Sequence, residues 1–121
     1  MSEINIVEGE IFLDERGKIN SLNNFTFDDV HRFYFIHHRD KSIVRGWHGH
    51  KYEKKWFYCV VGEFVLGIIK PDNWENPDPD LKPEIFNLSE TKSRIICVPE
   101  GYANSIKANT NNSILLVLSG K

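Results

Sequence analysis

Two histidines one residue apart, His48-Gly49-His50, stand ahead of a turn-like Lys51-Tyr52-Glu53-Lys54 patch and an apolar run, residues 56–61, that closes on Gly62. Alternate residues of an extended strand leave on the same face, so the two imidazoles can serve one pocket if the segment is a strand. The stretch 45–62 reads as strand, turn, strand, with the histidine pair at the end of the first strand. Taken alone, a His-x-His pair is surface polarity on an edge strand as readily as a site, so the flanking segments decide its meaning.

Those segments are short and rich in strand formers. Residues 4–13 mix Ile, Val and Phe with Glu8-Gly9-Glu10, and Asp14-Glu15-Arg16-Gly17 supplies turn chemistry before a second extended piece from Ile19 that breaks at Asn23-Asn24. Residues 25–30 suggest one helical turn, and nothing sustains a longer helix. Residues 32–38 are β-formers, with Arg32, Tyr34 and Ile36 on one face and Phe33, Phe35 and His37 on the other. The run 64–69 is apolar on both faces, as expected of a strand covered on both sides, and Gly62-Glu63 is the expected hairpin turn into it. Residues 71–83 hold four of the five prolines and read as a loop, with Trp74 folding back onto the core. Four more strands are expected at 84–88, 94–98, 102–108 and 114–118. Many closely spaced strands without a convincing helix indicate an antiparallel sandwich or barrel, one domain spanning residues 1–121.

Composition excludes several classes of function. The formal charge of -2 argues against a surface that coats nucleic acid, and no apolar run approaches the roughly 18 residues that cross a bilayer. The first residues lack the basic start and apolar core of a signal peptide, so a cytoplasmic protein is expected, without nucleic-acid or membrane partners. Cys59 and Cys97 lie in separate apolar runs and read as reduced thiols.

In order and spacing, His48-Gly49-His50 with Gly62, and later Pro99-Glu100-Gly101-Tyr102-Ala103-Asn104, resemble the two motifs of the cupins. The resemblance implies an all-β jelly roll, the double-stranded β-helix. In metal-binding cupins a glutamate and a third histidine complete a ligand set with the first pair. Here the glutamate position falls on Lys54 or Lys55, and the third histidine position holds Asn104. A protonated amine lacks a lone pair and an amide is a weak ligand, so the pocket is expected to be metal-free. Glu53 lies one or two positions off and would point elsewhere unless the turn is bulged. Histidines without a metal can do proton chemistry near neutral pH, and Arg16, Arg45 and Lys55 suit an anionic substrate or a developing enolate.

The stretch from Arg45 to Lys51 also resembles the Arg-Gly-x-His-x-His-Lys signature of nucleotide-sugar 3,4-ketoisomerases, and Arg32 to Ile36 resembles their Arg-x-Tyr-x-Ile strand. Asp14-Glu15-Arg16-Gly17, Lys55 and residues 99–104 resemble the related dTDP-4-dehydrorhamnose 3,5-epimerases. The resemblance implies a cofactor-independent enzyme acting on dTDP-linked 4-keto-6-deoxyhexoses in deoxysugar biosynthesis. It makes His48 the proton-abstracting base, His50 a second acid/base or orienting group, and Tyr34 the next catalytic candidate. Arg16, Arg45, Lys55, Tyr102 and Asn104 become the substrate-binding set. Residues 113–119 contain no tyrosine, where the epimerases keep their acid, which favours the ketoisomerase. A non-catalytic sugar-nucleotide-binding cupin remains a third reading. A homodimer is expected, because Trp47, Trp56, Phe33 and Phe35 offer more aromatic surface than one small core hides.

Overall fold

The computed structural model describes residues 3–121. Within them the chain forms β1 (Asn5–Glu8), β2 (Glu10–Asp14), β3 (Gly17–Ser21), β4 (Arg32–His38), β5 (Val44–His50), β6 (Lys55–Val61), β7 (Glu63–Ile69), β8 (Glu84–Ser89), β9 (Arg94–Val98), β10 (Tyr102–Ala108) and β11 (Ser113–Ser119). Antiparallel pairing gives a five-stranded sheet in the order β1-β9-β6-β11-β4, a four-stranded sheet β5-β10-β7-β8, and a separate β2-β3 hairpin. Phe57, Leu115 and Val117 of the first sheet pack in one core with Phe64, Leu66, Ile68 and Ile106 of the second. This is the cupin jelly roll, and the four late strands fall within a residue of their expected positions.

Three local expectations are corrected. The single segment at 4–13 is cut at Gly9, where a Cβ would lie 1.9 Å from the Ser21 carbonyl oxygen. This close approach sends β1 into the large sheet and β2 into the hairpin. Residues 25–30 form no helical turn. Val30 N–H donates to Phe27 O (2.9 Å), while Phe25 packs edge-on against Phe27 and Trp56 at 4.7 and 6.4 Å. Burying that ring on the sheet outweighs the small gain from one isolated helical turn.

The third correction concerns Gly62, which makes no hairpin, because β6 and β7 belong to opposite sheets. Gly62 has φ +82°, and a Cβ there would meet Thr110 Oγ1 at 2.3 Å and Ser113 Oγ at 2.4 Å. The left-handed conformation and the crowding both demand glycine at this corner. Trp74 folds back, though onto the exposed edge strand β5 rather than the core: a Cβ at Gly49 would come within 2.4 Å of its ring. The two cysteines are unpaired, Cys59 buried and Cys97 half-buried.

The five-stranded sheet is apolar outside as well as inside. Trp56, Ile95 and Leu118 form a second cluster there with Leu22, Phe25 and Val30. Further along, Phe33 and Phe35 stay exposed, as do Phe12, Leu13 and Ile19 on the hairpin.

A bulge in β5 positions the site. Asn104 of β10 lies opposite His48 and Ile106 opposite Arg45, so two residues of β10 span three of β5. The extra residue shifts the alternation, and Arg45 joins His48 and His50 on the inner side. Trp47 turns outward over Gly67, where a Cβ would stand 3.2 Å from its ring.

Candidate active site

Between the sheets lies a cavity of about 200 Å³ walled by four strands. Strand β4 contributes Tyr34 and Ile36; β6, Lys55 and Phe57; β5, Arg45, His48 and His50; β10, Asn104 and Ile106. Period-two alternation explains each pair, and the bulge explains Arg45. Four hollows are larger: two of about 420 and 360 Å³ on the outer face of the five-stranded sheet beside Phe25, one of about 310 Å³ around Glu63 and Asn87, and one of about 250 Å³ at the β2-β3 hairpin. No histidine lines them, so their size does not outweigh the chemistry gathered in the smaller cavity.

Lys55 organises one end. It is only 3% exposed, donates to Tyr34 Oη at 2.8 Å, and lies 2.9 Å from Glu53 Oε2. Glu53 also accepts from the buried Ser119 hydroxyl, stands 3.6 Å from Arg32 Nη2, and faces His50 Nδ1 at 3.6 Å. Glu53 therefore turns toward His50 and Lys55, the outcome expected only if the turn departs from regular alternation. It ends the turn after β5, which swings its carboxylate over the start of β6.

Burial pushes the Glu53 carboxyl upward, but the Ser119 hydroxyl and the Lys55 ammonium, with a smaller part from His50, bring it down to about 2. It is an anion at neutral pH and compensates the buried ammonium. For His50 burial comes first and lowers its pKa, as do the Lys55 and His48 charges, while Glu53 opposes them. An imidazole held neutral in this way has a lone pair for a proton. Lys55 donates to the Tyr34 oxygen, so the phenol keeps its own proton for an acceptor in the cavity.

Six of the eight residues proposed from sequence thus share one cavity: Tyr34, Arg45, His48, His50, Lys55 and Asn104. Tyr102 does not line it. Its ring is 5% exposed in the core, opposite His50 in register, and its hydroxyl accepts from Glu3 N–H at 3.3 Å. Arg16 is also outside, at the hairpin tip, where its side chain is 80% exposed and pairs with Asp14 at 2.6 Å. Sequence reasoning turned Glu53 away from the site and gave no role to Arg32, Ser119 or His38. Two of them had a visible signal: Glu53, two residues before Lys55 and three after His50, and Arg32, on the Tyr34 face of β4.

Among the described residues no group of three or more His, Cys, Asp or Glu is disposed to hold a metal ion. None of their helices is long and apolar enough to cross a membrane.

The jelly-roll barrel, with imidazoles, a phenol and ammonium and guanidinium groups around an interior cavity, is that of a cupin. The chain belongs to the family described as FdtA: WxcM-like, C-terminal, whose profile it matches over residues 2–121. Its fold is shared with 3,4-ketoisomerase QdtA from Thermoanaerobacterium thermosaccharolyticum, in a complex with TDP-4-keto-6-deoxyglucose (21% identity, all of this chain and 82% of that one, TM-score 0.78). It is shared also with the TDP-quinovose 3,4-ketoisomerase WlaRB from Campylobacter jejuni (20%, 100% and 87%, 0.75). A dTDP-4-dehydrorhamnose 3,5-epimerase from Bacillus anthracis is similar too (17%, 98% and 73%, 0.80). Among curated protein sequences none matches the chain.

Proposed function

We propose that the protein is a 3,4-ketoisomerase of a dTDP-linked 4-keto-6-deoxyhexose. One observation carries the reading: His48, His50, Tyr34 and Lys55 converge on a cavity whose charged lining is the cations Arg45 and Lys55, with the Glu53 carboxylate against Lys55 but outside the lining. A cavity of about 200 Å³ takes the hexose ring, and the nucleotide diphosphate extends through the mouth beside exposed Arg45 and His48.

In this reading His48 removes the C3 proton, which the neighbouring 4-ketone makes acidic. The electron pair moves into the C3–C4 bond and leaves negative charge on O4, which the Lys55–Tyr34 pair stabilises and protonates. The resulting enediol loses its O3 proton, C4 takes a proton, and the ketone stands at C3. His50, kept neutral, relays a proton or orients the sugar, Asn104 offers amide contacts, and no cofactor is required. The family membership and the ligand in the QdtA complex support this substrate class. The absence of tyrosine from β11 weighs against epimerisation at C5.

We also propose that the working form is a homodimer. Strand β5 is an edge on which every residue but His50 is exposed, and the hairpin residues Phe12, Leu13 and Ile19 and the β4 residues Phe33 and Phe35 present apolar surface that a second copy would cover.

Incubation with dTDP-4-keto-6-deoxyglucose in D₂O, followed by NMR, tests the function. Ketone migration with deuterium wash-in supports the isomerase. Deuterium at C3 and C5 without migration supports the epimerase, and binding without exchange supports a non-catalytic module.

A further inference from the structure

His38 ends β4 on the inner side of the barrel and is fully buried. Its Nε2 accepts a hydrogen bond from Arg45 Nε at 3.1 Å. Because the arginine nitrogen can only donate, Nε2 carries the lone pair and the ring proton sits on Nδ1. That Nδ1 is buried with no hydrogen-bond partner among the described residues. A histidine kept only for packing would gain by losing this orphaned N–H, so the Arg45 contact is what the imidazole supplies.

The surroundings isolate the pair. From β7 the Phe64 ring lies 5.6 Å from the imidazole, and from β11 the register partner is the buried, uncharged Ser113. His37 and Arg39, its chain neighbours, are exposed. Arg45 is the one charged group that acts on the ring, and no carboxylate pairs with Arg45 among the described residues. Burial, and then Arg45, lower the pKa of His38, in keeping with a neutral acceptor.

We propose that His38 is a positioning residue that fixes Arg45 from its Nε side and presents the guanidinium fork to an anionic group of the substrate, with acid releasing the arm. This rests on the assignment of Arg45 to nucleotide-sugar binding. A carboxylate in place of the imidazole would orient the arginine equally well but would cancel the charge that attracts the anion. A neutral ring orients it and leaves that charge whole. A protonated ring has no lone pair at Nε2 and places a second cation against the first, so the contact breaks.

The test combines imidazole and guanidinium ¹⁵N NMR of the wild-type protein with TDP binding by calorimetry from about pH 5 to 8, the range in which histidines titrate. The expected spectrum shows His38 with Nε2 unprotonated and a slowly exchanging Arg45 Nε–H that disappears as His38 takes a proton. His38→Phe should weaken TDP binding about tenfold near neutrality, the scale of one charge-assisted hydrogen bond. His38→Gln, whose amide oxygen can accept from Arg45, should restore most of that binding. It should also flatten the acid-side fall relative to wild type, while contributions from TDP and His50 persist in both. A protonated Nε2 at neutral pH, or a His38→Phe protein with wild-type affinity and pH profile, overturns the proposal. If wild type binds no TDP at any pH while Arg45 still follows His38, the nucleotide-sugar reading fails and the positioning stands.

Discussion

Replacing Glu53 with glutamine keeps the size and an acceptor oxygen but removes the charge that compensates Lys55. The ammonium is 3% exposed and 2.9 Å from the Glu53 carboxylate, so the variant strands a buried cation with only Tyr34 Oη and an amide for company. Lowering the carboxyl from its ordinary 4.5 to about 2 corresponds to about 3 kcal/mol at roughly 1.36 kcal/mol per pH unit. The carboxylate side chain keeps 18% of its exposure. Partial solvent screening trims the expected loss to about 2–3 kcal/mol, or roughly 10 °C in Tm for a chain of this length.

The sign with pH follows from the lowered value. The contribution is complete above pH 4.5 and disappears as pH falls from 4.5 toward 2, because the unfolded state then binds the proton first. Urea unfolding of wild type and Glu53→Gln should therefore give a wide gap at neutral pH that narrows in acid. Adding Lys55→Met should recover stability, since an apolar side chain replaces the stranded charge. A gap below about 0.5 kcal/mol at neutral pH, within the range of ordinary surface substitutions, would refute the reasoning. So would a gap that stays constant on acidification.

Other outcomes follow from the same structure. Gly62→Ala, which needs φ +82° and pushes a methyl against Thr110 and Ser113, should cost at least about 2 kcal/mol in denaturant unfolding. Elemental analysis of protein purified without chelator should find zinc, iron and nickel well below one per chain, because Lys55 and Asn104 stand where two ligands would be; stoichiometric metal dependent on His48 and His50 would contradict this. Light scattering at micromolar concentration should give twice the chain mass of 14.1 kDa, and a monomer would count against the dimer.

The strand pattern was legible because β-formers and turn residues alternate at close spacing, and β8 to β11 emerge almost as read. The facing of β4 was legible too, since strict alternation puts Tyr34 and Ile36 inside and leaves Phe33 and Phe35 exposed. What resisted reading was anything set by contact between distant segments. The Gly62 corner looks like a hairpin locally, and only the opposite sheet memberships of β6 and β7 show that it is not.

Simple alternation puts Arg45 on the face opposite His48, and the β5 bulge that reverses this becomes visible only against β10. Glu53 was misplaced for a similar reason: its direction is decided by Lys55, Ser119 and Arg32, which come from three different strands. Tyr102 and Arg16 were assigned by resemblance to motifs, and the fold puts one in the core and the other at a hairpin tip.

The central claim is that His48 moves a proton at a sugar carbon inside this cavity. Its most direct test is the rate at which the C3 proton of dTDP-4-keto-6-deoxyglucose is lost and a 3-keto product carrying deuterium at C4 appears, measured by NMR in D₂O with wild type and His48→Asn. Asparagine keeps polarity and approximate size while removing the ring nitrogen that would take the proton, so loss of the C3 proton should slow by about 10²–10⁴-fold with little change in substrate affinity. His50→Asn should lose less if its part is mainly orientation. Near-wild-type loss of the C3 proton in His48→Asn would contradict the account and move the base elsewhere, with Tyr34 the next residue to test.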